Sequence, residues 1–97
     1  MEYETYVTHV DGEDKGNVFM FTLSTCIWCR KTKALLNELG VNYSFVDVDL
    51  VGEEAAQAVM DDMHKYNPQT SFPTFVYNDG EEVILGFEED KIRETLK

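Results

Sequence analysis

The chain has little of what stabilises a secreted module: two cysteines and two prolines in 97 residues. Small secreted domains spread several cysteines along the chain as staples. Here both stand together, as Cys26 and Cys29. A bridge between them would close one helical turn and remove little unfolded-chain entropy. The pair is better explained by chemistry than by stability. Soft metal donors are equally scarce. A structural zinc site wants four ligands, and His9 and His64 hold no recognisable spacing to the cysteines. No metal is expected, and neither histidine is given a role.

Positive charge is also short. Eight basic residues face 19 acidic ones, for a net charge of −11. A nucleic-acid binder needs a basic face to neutralise phosphates, so nucleic acid is not expected as a partner. Anionic membrane surfaces are disfavoured for the same reason. The acidity reads either as solubility or as adaptation to an acidic or saline cytosol. No apolar run reaches the ~18 residues of a membrane span. Met1-Glu2-Tyr3-Glu4-Thr5 offers no basic region before an apolar stretch, so no secretory signal is expected and the protein is read as cytoplasmic. Low-complexity segments are missing too. Length and a 43% hydrophobic content suit a single domain over 1–97.

What is present is a run of alternating strand and helix signals. Asn17 to Leu23 is a short apolar, aromatic-rich run suited to a buried strand. Ser24 and Thr25 can cap the helix expected from about Ile27 to Leu39, with Trp28, Leu35, Leu36 and Leu39 on one face and Gly40 as its stop. Val41 to Leu50 reads as a second strand centred on Tyr43 to Val48. Glu53 to Tyr66 reads as a second helix, with Ala55, Ala56, Val59, Met60 and Met63 inward and Asn67-Pro68 as its end. Thr74 to Tyr77 and Glu82 to Leu85 form a hairpin around Asn78-Asp79-Gly80. Gly86 breaks it, and Glu88 to Leu96 is the last helix, acidic in its first turn. Crossover handedness makes the first two strands parallel. The result is a mixed α/β sheet covered by helices on both faces. Met1 to Gly16 is extra. Its alternation from about Tyr3 to Val10 suggests an added edge strand hairpinned onto the first core strand, with a disordered tail as the alternative.

A strand, a short cap and Cys-x-x-Cys opening a helix form a specific arrangement. The thiolate is the reactive form of cysteine, and free N–H groups at a helix start stabilise an anion. Cys26 should therefore be the exposed nucleophile. Cys29, one turn in, should be the recessed resolving thiol. Arg30, Lys31 and Lys33 follow directly, and read either as support for the thiolate or as a solvated helix face. Asp47 and Asp49 are read as exposed caps of the following helix and left out of the catalytic set. Ser71-Phe72-Pro73-Thr74 stands just before the third strand.

With these motifs the chain resembles the thioredoxin superfamily, and within it the glutaredoxins. The resemblance rests on Thr25-Cys26-Ile27-Trp28-Cys29, Phe72-Pro73-Thr74, the hairpin around Asp79-Gly80, and Gly86 to Ile92, and covers roughly Asn17 to Lys97. It implies a four-stranded mixed sheet with three helices, and a cis peptide before Pro73. The Phe72 backbone is then held beside the active site, able to pair with an extended thiol substrate. It also implies that Thr25, Trp28, Phe72 and Pro73 contact substrate. Departures from the family concern the reductant. Ile27-Trp28 replaces the common Pro-Tyr. Leu23 stands where many members have a lysine that meets glutathione. Gly86-Phe87 and Glu89-Asp90 only partly match the Gly-Gly and Asp pair that hold its other end.

The expected activity is thiol–disulfide oxidoreduction on protein or small-molecule disulfides, by a monomer without a bound cofactor. Electrons would come from glutathione, another small thiol or a thioredoxin-type reductase. The alternatives are an iron–sulfur cluster carrier and a non-catalytic interaction domain.

Overall fold

The computed structural model describes residues 1–97. Five strands form one sheet: β1 (Val7–Val10), β2 (Val18–Thr22), β3 (Tyr43–Asp47), β4 (Thr74–Tyr77) and β5 (Glu82–Leu85). Three α-helices cover it: α1 (Ile27–Leu39), α2 (Glu53–Tyr66) and α3 (Glu89–Thr95). Strand order is β1-β3-β2-β4-β5. β2 and β3 are parallel, as the helical crossover requires, and all other pairings are antiparallel.

Alternation along the strands divides the core in two. Val18 and Met20 of β2 pack with Phe75, Ile84, Leu35, Leu36 and Ile92 beneath α1 and α3. Phe21, with Val46 and Val76, packs on the other face against Ala55, Val59 and Met63 of α2. Fully burying one such side chain contributes about 1.5–3 kcal/mol, so the two clusters fix which face of each helix turns inward. α2 crosses its face of the sheet. Glu54 in its first turn meets the Tyr6 hydroxyl beside β1, and Tyr66 in its last reaches Gly80 beyond β4.

Element bounds follow the sequence expectation closely. α1, α2, β4 and β5 agree residue for residue, and α3 is shorter by one residue at each end. Gly40 ends α1 in the left-handed conformation (φ 67°), which a glycine adopts without steric cost. Asn78 and Asp79 also turn left-handed (φ 48° and 56°), as a tight hairpin demands.

Two expectations change. The N-terminal segment is ordered as a strand, but β1 pairs antiparallel with β3, not with β2. Both edges of β2 are already taken by β3 and β4, so the open edge lies on β3. A 3-10 turn at Glu4–Tyr6 precedes β1, which begins only at Val7. The second correction is the inner face of α1. It consists of Cys29, Thr32, Leu35 and Leu36, with Leu39 packed alongside. Trp28 is 51% exposed and stacks on Phe87, with ring centroids 6.1 Å apart. On α2, Ala55, Val59 and Met63 are buried as expected, while Ala56 and Met60 flank them half-buried.

Candidate active site

Cys26 is the N-cap of α1. Its backbone is extended (φ −85°, ψ 117°), and its Sγ accepts the Cys29 N–H at 3.2 Å. The first helical bond runs from the Arg30 N–H to the Cys26 carbonyl. A sulfur so placed receives a backbone donor at the positive end of the helix dipole. Cys26 is partly exposed, Cys29 is fully buried, and both are free thiols. Burial pushes the Cys29 thiol up to about 12, the adjoining Cys26 adds to that, and Lys33 acts in the opposite sense. The pair is therefore divided into an accessible sulfur and a recessed one that holds its proton.

The turn before Cys26 is tied down from β3's end of the sheet. Asp49 accepts the Ser24 N–H at 2.9 Å and the Ser24 hydroxyl. Those hydrogen bonds hold the Asp49 carboxyl below the usual carboxylate range. The Cys26 N–H closes a turn onto the Leu23 carbonyl at 3.2 Å. Asp49 is exposed, as expected, but it anchors the cysteine loop instead of capping α2, whose N-cap is Gly52. Asp47 is not an exposed cap. Its side chain is 17% exposed, accepts from the Thr22 hydroxyl at 2.7 Å, and lies 3.4 Å from Lys33 Nζ. Of the three cations after the motif, Lys33 is thus drawn in over the Phe45 ring, Lys31 lies over Trp28, and Arg30 reaches toward the Ser24 carbonyl.

The Phe72–Pro73 peptide is cis. β2 pairs Phe21 with Thr74. Continuing that antiparallel register puts Pro73 beside Thr22 and Phe72 beside Leu23, three residues before Cys26. Pro73 is buried and Phe72 half-buried. Thr25 is exposed on the turn itself. The structure thus gathers Thr25, Cys26, Trp28, Cys29, Phe72 and Pro73 at the end of the sheet where β2 and β3 finish and β4 starts. Leu85 and Gly86 close the same end, because Leu85 pairs with Thr74. Ile27, Trp28, Leu50 and Leu85 are the large exposed apolar side chains of that end. Sequence reading missed Asp49 and Leu50 as parts of it. The repeated Val-Asp-Val-Asp at the end of β3 was the available signal, but which carboxylate faces which turn depends on the sheet.

A parallel β-α-β unit joined to an antiparallel hairpin, with Cys-x-x-Cys at the helix start and a cis proline at the facing strand, defines a thiol protein of the thioredoxin superfamily. The glutaredoxin family model matches residues 18–83. A glutaredoxin structure from Methanosarcina mazei Go1 is 45% identical over 94% of this chain and 87% of its own, with a TM-score of 0.85. The methanoredoxin of Methanosarcina acetivorans is 48% identical over 88% of each chain, with a TM-score of 0.83. A glutaredoxin from Archaeoglobus fulgidus is 30% identical over 82% of this chain and 85% of its own, at 0.75. No curated protein matches. The chain belongs to the glutaredoxin family and is a glutaredoxin-like redox protein.

Proposed function

We propose that the protein reduces disulfides by a dithiol mechanism, with Cys26 as nucleophile and Cys29 as resolving thiol. The observation that carries this reading is the division of the pair: a part-exposed sulfur capping α1 and a buried one a turn inside. The Cys26 thiolate attacks one sulfur of the substrate disulfide. A Cys26–substrate bond forms, the substrate S–S bond breaks, and the leaving thiolate takes a proton from water. Cys29 then loses its proton and attacks Cys26. The second half of the substrate leaves as a thiolate, and the protein is left as the Cys26–Cys29 disulfide. Two electrons from a thiol or a reductase restore the dithiol, so no bound cofactor is required.

Loss of charge at Cys26 helps the second step. While Cys26 is a thiolate, its charge and hydrogen bond hold the proton on Cys29. Once Cys26 is in a mixed disulfide both influences vanish, and Lys33 still favours the Cys29 anion.

Substrates are protein or small-molecule disulfides. Thr25, Trp28, Phe72 and Pro73 are their contact surface, and Ile27, Leu50 and Leu85 widen its apolar rim. The reductant is glutathione, another small thiol or a thioredoxin-type reductase. The lysine and paired glycines that would favour glutathione are replaced here by Leu23 and Gly86-Phe87. The protein works as a monomer in the cytoplasm, where thiols are kept reduced. Cys26→Ser should abolish reduction of insulin by dithiothreitol above the uncatalysed rate. Cys29→Ser should accumulate a mixed disulfide visible by intact mass. Full turnover by the Cys26→Ser variant would refute the assignment.

A further inference from the structure

The seven residues between α2 and β4, positions 67–73, bring the Phe72 main chain beside Leu23, three residues before Cys26. They are held in an unusual way. No residue from Pro68 to Phe72 makes a main-chain to main-chain hydrogen bond. Thr70 is in the left-handed region (φ 46°), which a β-branched residue rarely adopts. Side chains therefore have to supply the order, and most of the ties converge on one buried amide.

Asn67 is fully buried at the end of α2. Its Nδ2 donates to the Ser71 carbonyl (3.2 Å), the Ser71 hydroxyl (3.0 Å) and the Thr74 hydroxyl (3.0 Å). Its Oδ1 accepts the Gln69 N–H at 3.0 Å. A carbonyl acceptor on one side and an N–H donor on the other settle which way the amide points. Thr74, also fully buried, returns a bond from its hydroxyl to the Ser71 carbonyl at 2.9 Å. On the far side of the turn, the Pro73 carbonyl accepts the Gly86 N–H at 2.9 Å. Between these two pinned carbonyls lies Phe72. Its N–H and its carbonyl have no intramolecular partner. A half-buried main-chain pair left open beside the nucleophile is a ready edge for one residue of an extended peptide.

We propose that Asn67 is a positioning residue for peptide disulfides: by clamping Ser71 and Thr74 it aims the free Phe72 N–H and carbonyl at the substrate main chain beside Cys26. The inference rests on the disulfide-reductase reading and adds a requirement for a peptide backbone in the substrate. Pairing with Phe72 holds substrate and transition state alike, so its loss raises KM and leaves kcat in place. Losing one or two main-chain hydrogen bonds is worth about tenfold in affinity. A disulfide with no peptide bond has nothing to pair and should be indifferent.

The test uses the full chain with dithiothreitol as reductant. Insulin is the peptide substrate, and bis(2-hydroxyethyl) disulfide is the substrate without peptide bonds. Asn67→Ala should raise KM for insulin about tenfold. The kcat for insulin, the rate on the small disulfide and the iodoacetamide alkylation rate of Cys26 should all stay within about twofold. Thr74→Val removes the bond to Asn67 and the bond to the Ser71 carbonyl at nearly constant volume. It should shift KM in the same direction, and it decides the matter if Asn67→Ala does not fold. Equal losses on both substrates would mean that Asn67 is only a structural cap and would overturn the proposal. So would an unchanged KM for insulin in a folded variant. If wild type reduces neither substrate, the reductase reading itself falls, and that result is distinct from the other two.

Discussion

Cys29 is fully buried, so its thiolate would lose the solvation that water gives it. Burial, and then the thiolate beside it, push it from 9.0 to about 12. The folded state therefore binds this proton more tightly than the unfolded chain does. The contribution to stability is complete below about pH 9 and drains away as pH rises toward about 12. Reduced wild type should lose thermal stability between about pH 8 and about pH 10.5 more steeply than Cys29→Ala does, measured under dithiothreitol by circular dichroism. Tyr3 and Tyr43 are pushed up as well, by burial first, but they remain in both proteins and cancel in the comparison. Equal slopes would show that the Cys29 proton is not held by the fold. The division of the pair into a part-exposed Cys26 and a recessed Cys29 was legible from their spacing at a helix start, although the N-cap is Cys26 itself and not Ser24 or Thr25. The anchors around them were not. Asp49 reaches Ser24 and Asp47 reaches Thr22 across 25 residues each, through a parallel pairing that no local pattern reports. Asn67 was legible only as a helix end, because its four hydrogen bonds, to Gln69, Ser71 and Thr74, are defined by the fold of the turn that follows.

The N-terminal strand shows the same limit at the level of elements. Its alternation was readable, but its neighbour was not. A segment next in sequence to β2 pairs instead with β3, and the connection passes under the end of α1. There the Glu13 N–H donates to the Gly40 carbonyl, and the Asn42 N–H donates to the Glu13 carbonyl. Gly12 is needed at this crossing, since a Cβ would lie 2.5 Å from the Val41 carbonyl carbon. Tyr3 then closes the outer cluster. It is 2% exposed, packs with Val59 and Met63, and donates its hydroxyl to Asp62 at 2.7 Å. Tyr3 and the β1–β3 pairing thus tie the first ten residues to the fold, so they are not a tail. Tyr3→Ala should cost about 3–5 kcal/mol, the usual loss for a buried aromatic. Tyr3→Phe keeps the packing and drops one hydrogen bond, so it should cost about 1 kcal/mol. Urea unfolding of the two variants measures both. Similar midpoints for Tyr3→Ala and wild type would show that the strand is a dispensable appendage.

Charge acts over the whole molecule, and here its balance depends on distance from Cys26. Overall the chain carries −11. Close to Cys26 the balance differs. Arg30 and Lys31 form no ion pair, and Lys33 shares its charge with Asp47. A substrate thus meets two unpaired cations, Arg30 and Lys31, offset in part by the Asp49 carboxylate at Ser24, inside a negative far field. Salt separates the two. At about 10 mM the screening length is ~30 Å, comparable with the 37 × 26 × 25 Å extents of the protein. The whole negative surface is then felt. At about 150 mM the length falls to ~8 Å, and only the residues around the first turn of α1 remain in range. The rate on an anionic disulfide, dithiodiglycolate, divided by the rate on the cationic cystamine should therefore rise as salt is raised over that interval. Neutralising the near field with Arg30→Gln and Lys31→Gln should lower the ratio reached at high salt while leaving its upward trend. A ratio that falls with salt in wild type would mean that the cations beside Cys26 set the field at every distance. The acidity would then have no electrostatic part in choosing substrates.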